Sequence, residues 1–293
     1  MFVSKKLNEI TGSLTRRAAS YDLIRYIILG DIMHYNQKKY KTGKVIEVEN
    51  SRSLFMQPAK HRQPKVNKSS KEMKEQNYKY AARKLTRLIN NNFGHNDWHL
   101  SQTYQEELRP DTPERFRKDV ENFLKRVRRR FQKHGKQMKA VYAVGYGEDH
   151  AAHIHLVING DIDLKEITDC WNYGFIRATR LDRSGDYIKL AEYILKHTKN
   201  TFDNPTLAVF KKRWNQSSNL KIPVPKKKKI KATFWLKTPR IPKGYILIRD
   251  SMVTSVSEYD GSYYQYYRLL KIDTGKRRER DHGSTRGKSN KQS

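Results

Sequence analysis

Two patterns in the sequence place side chains at spacings that could do chemistry. The first is His153-Ile154-His155, in the run from Ala152 to Asn159. Side chains alternate faces along a strand, so His153 and His155 point the same way and can grip one metal ion together. Adjacent histidines would diverge, which is why the spacing matters. Ile154, Leu156 and Ile158 then face a core. The same pattern also suits two hydrogen-bonded histidines on a half-polar sheet face, and the pair alone does not choose between these readings. The second pattern surrounds Tyr193. On a helix, Lys189 lies four residues before it, and Lys196 and His197 lie three and four after. Cations at these positions favour phenolate over phenol, whose pKa is ordinarily about 10. A tyrosine activated in this way can act as a covalent nucleophile. The alternative is an amphipathic helix in which Tyr193 packs with Leu190 and Ile194.

A strand and a helix must carry these groups, and the surrounding sequence supplies both. Valine, tyrosine and alanine dominate 138–146, a turn spans 147–152, and 153–159 alternates, which predicts a hairpin. Residues 185–199 predict the helix that bears Tyr193. Upstream, Tyr78, Ala81, Ala82, Leu85, Leu88 and Ile89 recur at spacings of three and four and predict a helix over 71–92. A strand is expected at 98–104, with small hydroxyl residues on one face. Thr112 and Pro113 then open a second helix as N-cap and first helical residue. Phe116, Val120, Phe123, Leu124, Val127 and Phe131 line one face of that helix. Its other face carries Arg115, Lys118, Lys125 and Arg129, either a solvated surface or a phosphate-contact surface. Asp163 to Glu166 is a capping-box pattern that starts a short helix, and 174–181 reads as a further strand. Strands joined by hairpins and interspersed with helices predict an antiparallel α+β fold, with a sheet flanked by helices.

The ends of the chain differ in character. Residues 1–70 read as an irregular basic extension that could hold short strand pieces such as 44–49, and 58–70 reads as a linker. The expected division places the chemistry in 71–222, a basic linker at 223–232, a small β-rich piece at 233–272 and a disordered basic tail at 273–293. The run Lys226, Lys227, Lys228 and Lys229 is either linker or a phosphate-binding arm.

Sixty-one Lys+Arg against 30 Asp+Glu leave a formal net charge of +31. Such a field favours a polyanionic partner, with affinity that falls as salt rises. The single cysteine, Cys170, excludes a disulfide framework or a cysteine-rich zinc site and fits a reducing cytoplasm. No apolar run approaches the length needed to span a bilayer, and no secretory signal is evident.

Taken in order, Ser101-Gln102-Thr103-Tyr104, the basic helix at 113–131, His153-Ile154-His155 and Tyr193-Ile194-Leu195-Lys196 resemble the three motifs of the HUH endonucleases. The resemblance is greatest to rolling-circle replication proteins of the filamentous-phage gene II type and covers roughly 40–225. It implies an HUH-like sheet in which His153 and His155 bind a divalent ion, Mg2+ or Mn2+, that polarises a scissile phosphate. It also implies that Tyr193 attacks phosphorus and stays joined to the 5′ phosphate, releasing a 3′ hydroxyl, with Lys196 stabilising charge or assisting the tyrosine. The implied substrate is single-stranded or hairpin origin DNA of a phage, plasmid or other mobile element in a bacterial cell. Lys189, Arg115, Lys118, Lys125, Arg129 and Lys226 to Lys229 are the expected DNA contacts. No helicase P-loop is present, so a host helicase and DNA polymerase are expected partners and a membrane is not.

Two departures bear on this expectation. The position where such proteins often carry a glutamate before the histidine strand falls near Gly145, and Glu148 is the nearest candidate for the third ligand. It is equally a solvated turn residue. Position 197 is histidine rather than a second tyrosine, which argues for a single-tyrosine enzyme. A DNA-binding protein with a degenerate site, a relaxase or transposase of the same superfamily, and a basic RNA-binding protein are the alternatives. The last lacks an aromatic-rich RNA-recognition strand.

Overall fold

The computed structural model describes residues 34–52, 71–147, 151–232, 235–256 and 262–272. In chain order they form β1 (Tyr35–Thr42), β2 (Val45–Arg52), α1 (Lys71–Asn92), β3 (Trp98–Thr103), α2 (Pro113–Lys133), β4 (Ala140–Tyr146) and β5 (Ala152–Ile158). There follow α3 (Leu164–Thr168), β6 (Ile176–Arg180), α4 (Ile188–His197), α5 (Lys199–Asp203), β7 (Asn215–Gln216), β8 (Lys226–Ile230), β9 (Tyr245–Val256) and β10 (Tyr263–Lys271). The strands form two antiparallel five-stranded sheets, ordered β6-β3-β5-β4-β7 and β8-β1-β2-β10-β9. The fold is α+β, as the alternation of strand and helix patterns predicted. None of the described helices is long and apolar enough to cross a membrane.

The first sheet is covered on both faces, and each cover follows from sequence periodicity. Phe116, Val120, Phe123, Val127 and Phe131 recur on one side of α2 and meet Leu100, Ile154, Leu156 and Ile158 in one buried cluster. Each such side chain contributes roughly 1.5–3 kcal/mol through burial. Thr112 caps α2, its hydroxyl accepting from the Arg115 N–H. Cys170 lies in the same cluster and is ordinary core. On the opposite face, Val141, Ala143 and Val157 meet Leu85, Leu88 and Ile89 of α1 and Ala191, Ile194 and Leu195 of α4. The helix bearing Tyr193 therefore lies on the same face of the sheet as His153 and His155.

The second sheet differs most from expectation. Residues 35–42 are a strand, and β8 turns the lysine run, read as linker or arm, into an edge strand of the same sheet. Of the two strands in the expected C-terminal β-rich piece, β10 pairs onto β2 from the opposite end of the chain, and β9 pairs onto β10. Apolar periodicity could not reveal β1, because Tyr-Asn-Gln-Lys-Lys-Tyr-Lys-Thr is polar on both faces. Its turn into β2 uses Gly43 at φ +55°, where a Cβ would also lie 2.5 Å from the Asn90 carbonyl oxygen. A buried charge cluster ties this sheet to α1. Arg87 bonds Glu47 and Glu49 and lies 3.6 Å over the Tyr40 ring, while the Tyr266 hydroxyl donates to Glu47. The sequence-predicted linker at 58–70, the turn residue Glu148 and the tail at 273–293 lie outside the described residues.

Candidate active site

The site is assembled where β3, β5 and β4 run side by side beneath α4. Residues opposite one another in an antiparallel pair share a face. Across β4, β5 and β3 the rows are Gly145, His153 and Thr103, then Ala143, His155 and Ser101, then Val141, Val157 and His99. Small residues on β4 leave the imidazoles room. At Gly145 the His153 ring lies across the glycine so closely that a Cβ would fall 2.1 Å from it. A glutamate at this position is incompatible with that ring placement.

His155 is the most enclosed of the group, at 2% exposure. Its Nδ1 is 3.3 Å from His99 Nε2. Its Nε2 is buried and has no hydrogen-bond partner in the structure. The His153 Nε2 lies 3.3 Å from the His197 backbone carbonyl oxygen. His99 is the site residue that sequence reasoning missed; only the small hydroxyl residues of its strand stood out. The available signal was that His99, Ser101 and Thr103 alternate on one face, but knowing which face requires the pairing with β5.

Helix α4 buries Ala191, Ile194 and Leu195 and leaves Tyr193 44% exposed. The Tyr193 ring centroid is 5.3 Å from that of His155, 6.0 Å from His99 and 4.3 Å from His197. Tyr193 thus lies beside the histidine cluster and is not buried in the apolar interior. Lys189 and Lys196 are exposed on the same helix.

Burial sets the charge state of the histidines. It lowers the pKa of His99 to about 4 and depresses that of His153, against a smaller opposing effect of the His197 carbonyl. His155 falls to about 3, first through burial and then through the charge that His153, His99 and His197 would carry. All three are neutral near pH 7, the form in which imidazole binds a metal ion. The unpartnered Nε2 of His155 beside His153, 5.3 Å between ring centroids, fits a divalent ion held by nitrogen. Among the described residues, no group of three or more His, Cys, Asp or Glu is arranged to hold a metal ion.

The expected DNA contacts are scattered over the molecule. Arg115, Lys118, Lys125 and Arg129 are exposed on α2, across the sheet from Tyr193. Lys226, Lys227, Lys228 and Lys229 are exposed on β8 in the second sheet, where Lys226 and Lys227 face Lys39 and Lys38.

Residues 97–198 match the family model of the replication-associated proteins of the ORF2 and gene II protein type. The matched span contains His99, His153, His155, Tyr193 and His197. It supports a replication initiator family and, with it, a role in DNA replication. No curated protein matches the chain. No solved structure matches it either.

Proposed function

We propose that the protein is a single-tyrosine endonuclease that nicks and rejoins single-stranded origin DNA to initiate rolling-circle replication of a mobile element. The observation that carries this reading is the meeting of Tyr193 with the His153 and His155 pair, on one face of the sheet.

In the reaction, the phenolic oxygen of Tyr193 forms a bond to phosphorus as the bond from phosphorus to the 3′ oxygen breaks. The phenolic proton leaves to water or an adjacent imidazole, and the departing 3′ oxygen takes up a proton. The strand then ends in a free 3′ hydroxyl for a host polymerase, and its 5′ phosphate stays on Tyr193. His153 and His155 would hold a magnesium or manganese ion, whose charge polarises the scissile phosphate. Lys196, exposed one turn beyond Tyr193, assists where negative charge develops. A later 3′ hydroxyl reverses the step, because the phosphotyrosine conserves the bond. Unwinding falls to a host helicase.

The test uses labelled single-stranded fragments of the DNA flanking the gene, incubated with manganese. A protein–DNA adduct that survives denaturant is expected, and Tyr193→Phe removes it. If no fragment forms an adduct, the proposal fails. The second reading, a DNA-binding protein with a degenerate site, is favoured by the lack of a three-residue metal group among the described residues. It requires that His153→Ala leave both manganese binding and DNA binding unchanged.

A further inference from the structure

Beyond the imidazoles, the same sheet face continues outward as an open platform. β6 is an edge strand paired to β3, with Arg177 opposite Ser101 and Thr179 opposite His99. Phe175 and Thr103 exchange both backbone hydrogen bonds, so they too share a face. Thr103 is opposite His153, and Ser101 is opposite His155. Phe175 therefore extends the His153 row and Arg177 extends the His155 row, each about 10 Å from its histidine, two strand spacings away. Ile176 and Ala178 point the other way, against the core beneath α2.

This platform has an unusual surface chemistry. Phe175 is 67% exposed although Ile176 beside it is packed. Arg177, Thr103 and Thr179 are exposed, and Arg177 forms no ion pair among the described residues. None of the residues in these rows is acidic. The exposed phenyl ring and a guanidinium without an ion pair among the described residues stand two positions apart along one sheet edge, facing the same way. An unpaired nucleotide matches both: its base stacks on the ring, and its phosphate takes the positive charge. A duplex would not fit, because its bases are already stacked.

We propose that Phe175 and Arg177 form a binding subsite for a nucleotide of single-stranded DNA flanking the phosphate at Tyr193. Phe175 receives the base, Arg177 the phosphate, and the Ser101 and Thr103 hydroxyls line the path between them and the histidines. That the bound strand is the one cleaved rests on the function proposed above; the subsite itself depends only on strand binding.

The experiment therefore measures binding without cleavage. Full-length Tyr193→Phe protein in EDTA is titrated against a labelled oligothymidylate of about 16 nucleotides, a length that fills a groove of this kind. Phe175→Ala is expected to weaken binding about tenfold, and Phe175→Trp to restore it. Arg177→Ala is expected to weaken binding and to reduce the slope of log affinity against log salt by about 0.7. Both side chains are exposed, so the thermal transition should not move. If Phe175→Ala and Arg177→Ala bind like the parent with the same slope, or the oligothymidylate is not bound at low salt, the subsite is wrong. A response to these substitutions without any adduct at intact Tyr193 supports the subsite and removes only the nicking activity. An adduct with unaltered binding in both variants removes only the subsite.

Discussion

His99 Nε2 and His155 Nδ1 lie 3.3 Å apart, and the other nitrogen of His155 is buried without a partner. With both rings neutral, one proton is shared between the facing nitrogens. If His155 donates from Nδ1, its Nε2 presents a bare lone pair toward the site. His99 would then act as the orienting partner that metal-bound histidines usually have. His99→Leu should weaken manganese binding by about 10- to 100-fold, and His99→Gln, which keeps an acceptor, should recover part of it. Calorimetry or manganese electron paramagnetic resonance gives the answer, and equal affinity in all three proteins would remove His99 from this role.

Gly145 offers a steric test of the same site. A methyl group at this position would meet the His153 ring at 2.1 Å, so the ring must move. Gly145→Ala should lose manganese affinity and adduct formation together. Overpacking should also cost about 1–3 kcal/mol of stability, measured by denaturant unfolding. A variant with parental metal binding and activity would mean that His153 does not need its observed position.

The connection between α1 and the second sheet rests on buried charge. Glu47 is 1% exposed, and its carboxylate receives bonds from Arg87 and the Tyr266 hydroxyl. Burial raises the Glu47 pKa above the usual carboxylate range, and Arg87 only partly offsets this. Removing Arg87 leaves the carboxylate buried without its cation, so Arg87→Met should destabilise by about 3–5 kcal/mol. Glu47→Gln should cost less, because no lone negative charge remains. Equilibrium unfolding in urea would expose an error here if the two variants were equally mild.

Lysines on β1 and β8 oppose one another directly, Lys38 against Lys227 and Lys39 against Lys226. Like charges placed opposite are unfavourable unless an anion lies between or beside them. Converting Lys226 and Lys227 to Gln should weaken DNA binding alike for every sequence and flatten its salt dependence. It should also slightly raise stability without DNA. Neutralising Arg115, Lys118, Lys125 and Arg129 on α2 should leave the rate of adduct formation at saturating DNA unchanged, since they lie across the sheet from Tyr193. A fall in that rate would place α2 on the path of the cleaved strand.

The sequence by itself determined the elements whose order is enforced by local periodicity. The apolar stripes of α1 and α2, the Thr112 cap and the alternation of β5 follow from residue spacing, and all are present. That His153 and His155 share a face was equally legible, because alternation along a strand needs no partner. Tertiary structure alone decided which face that is, and that α4 lies over it. Tyr193 is polar at one end and apolar at the other, so its helix pattern permits either surroundings. Only the packing of Ala191, Ile194 and Leu195 onto the sheet turns it toward the imidazoles. His99, Phe175 and Arg177 became visible through strand register, which joins residues far apart in sequence. In the second sheet β2, β9 and β10 fall in segments read as strand or β-rich, whereas β1, β8 and the joining of the five strands were hidden: β1 and β8 are rich in lysine, and their strand character comes from hydrogen bonds to distant partners rather than from their own side chains.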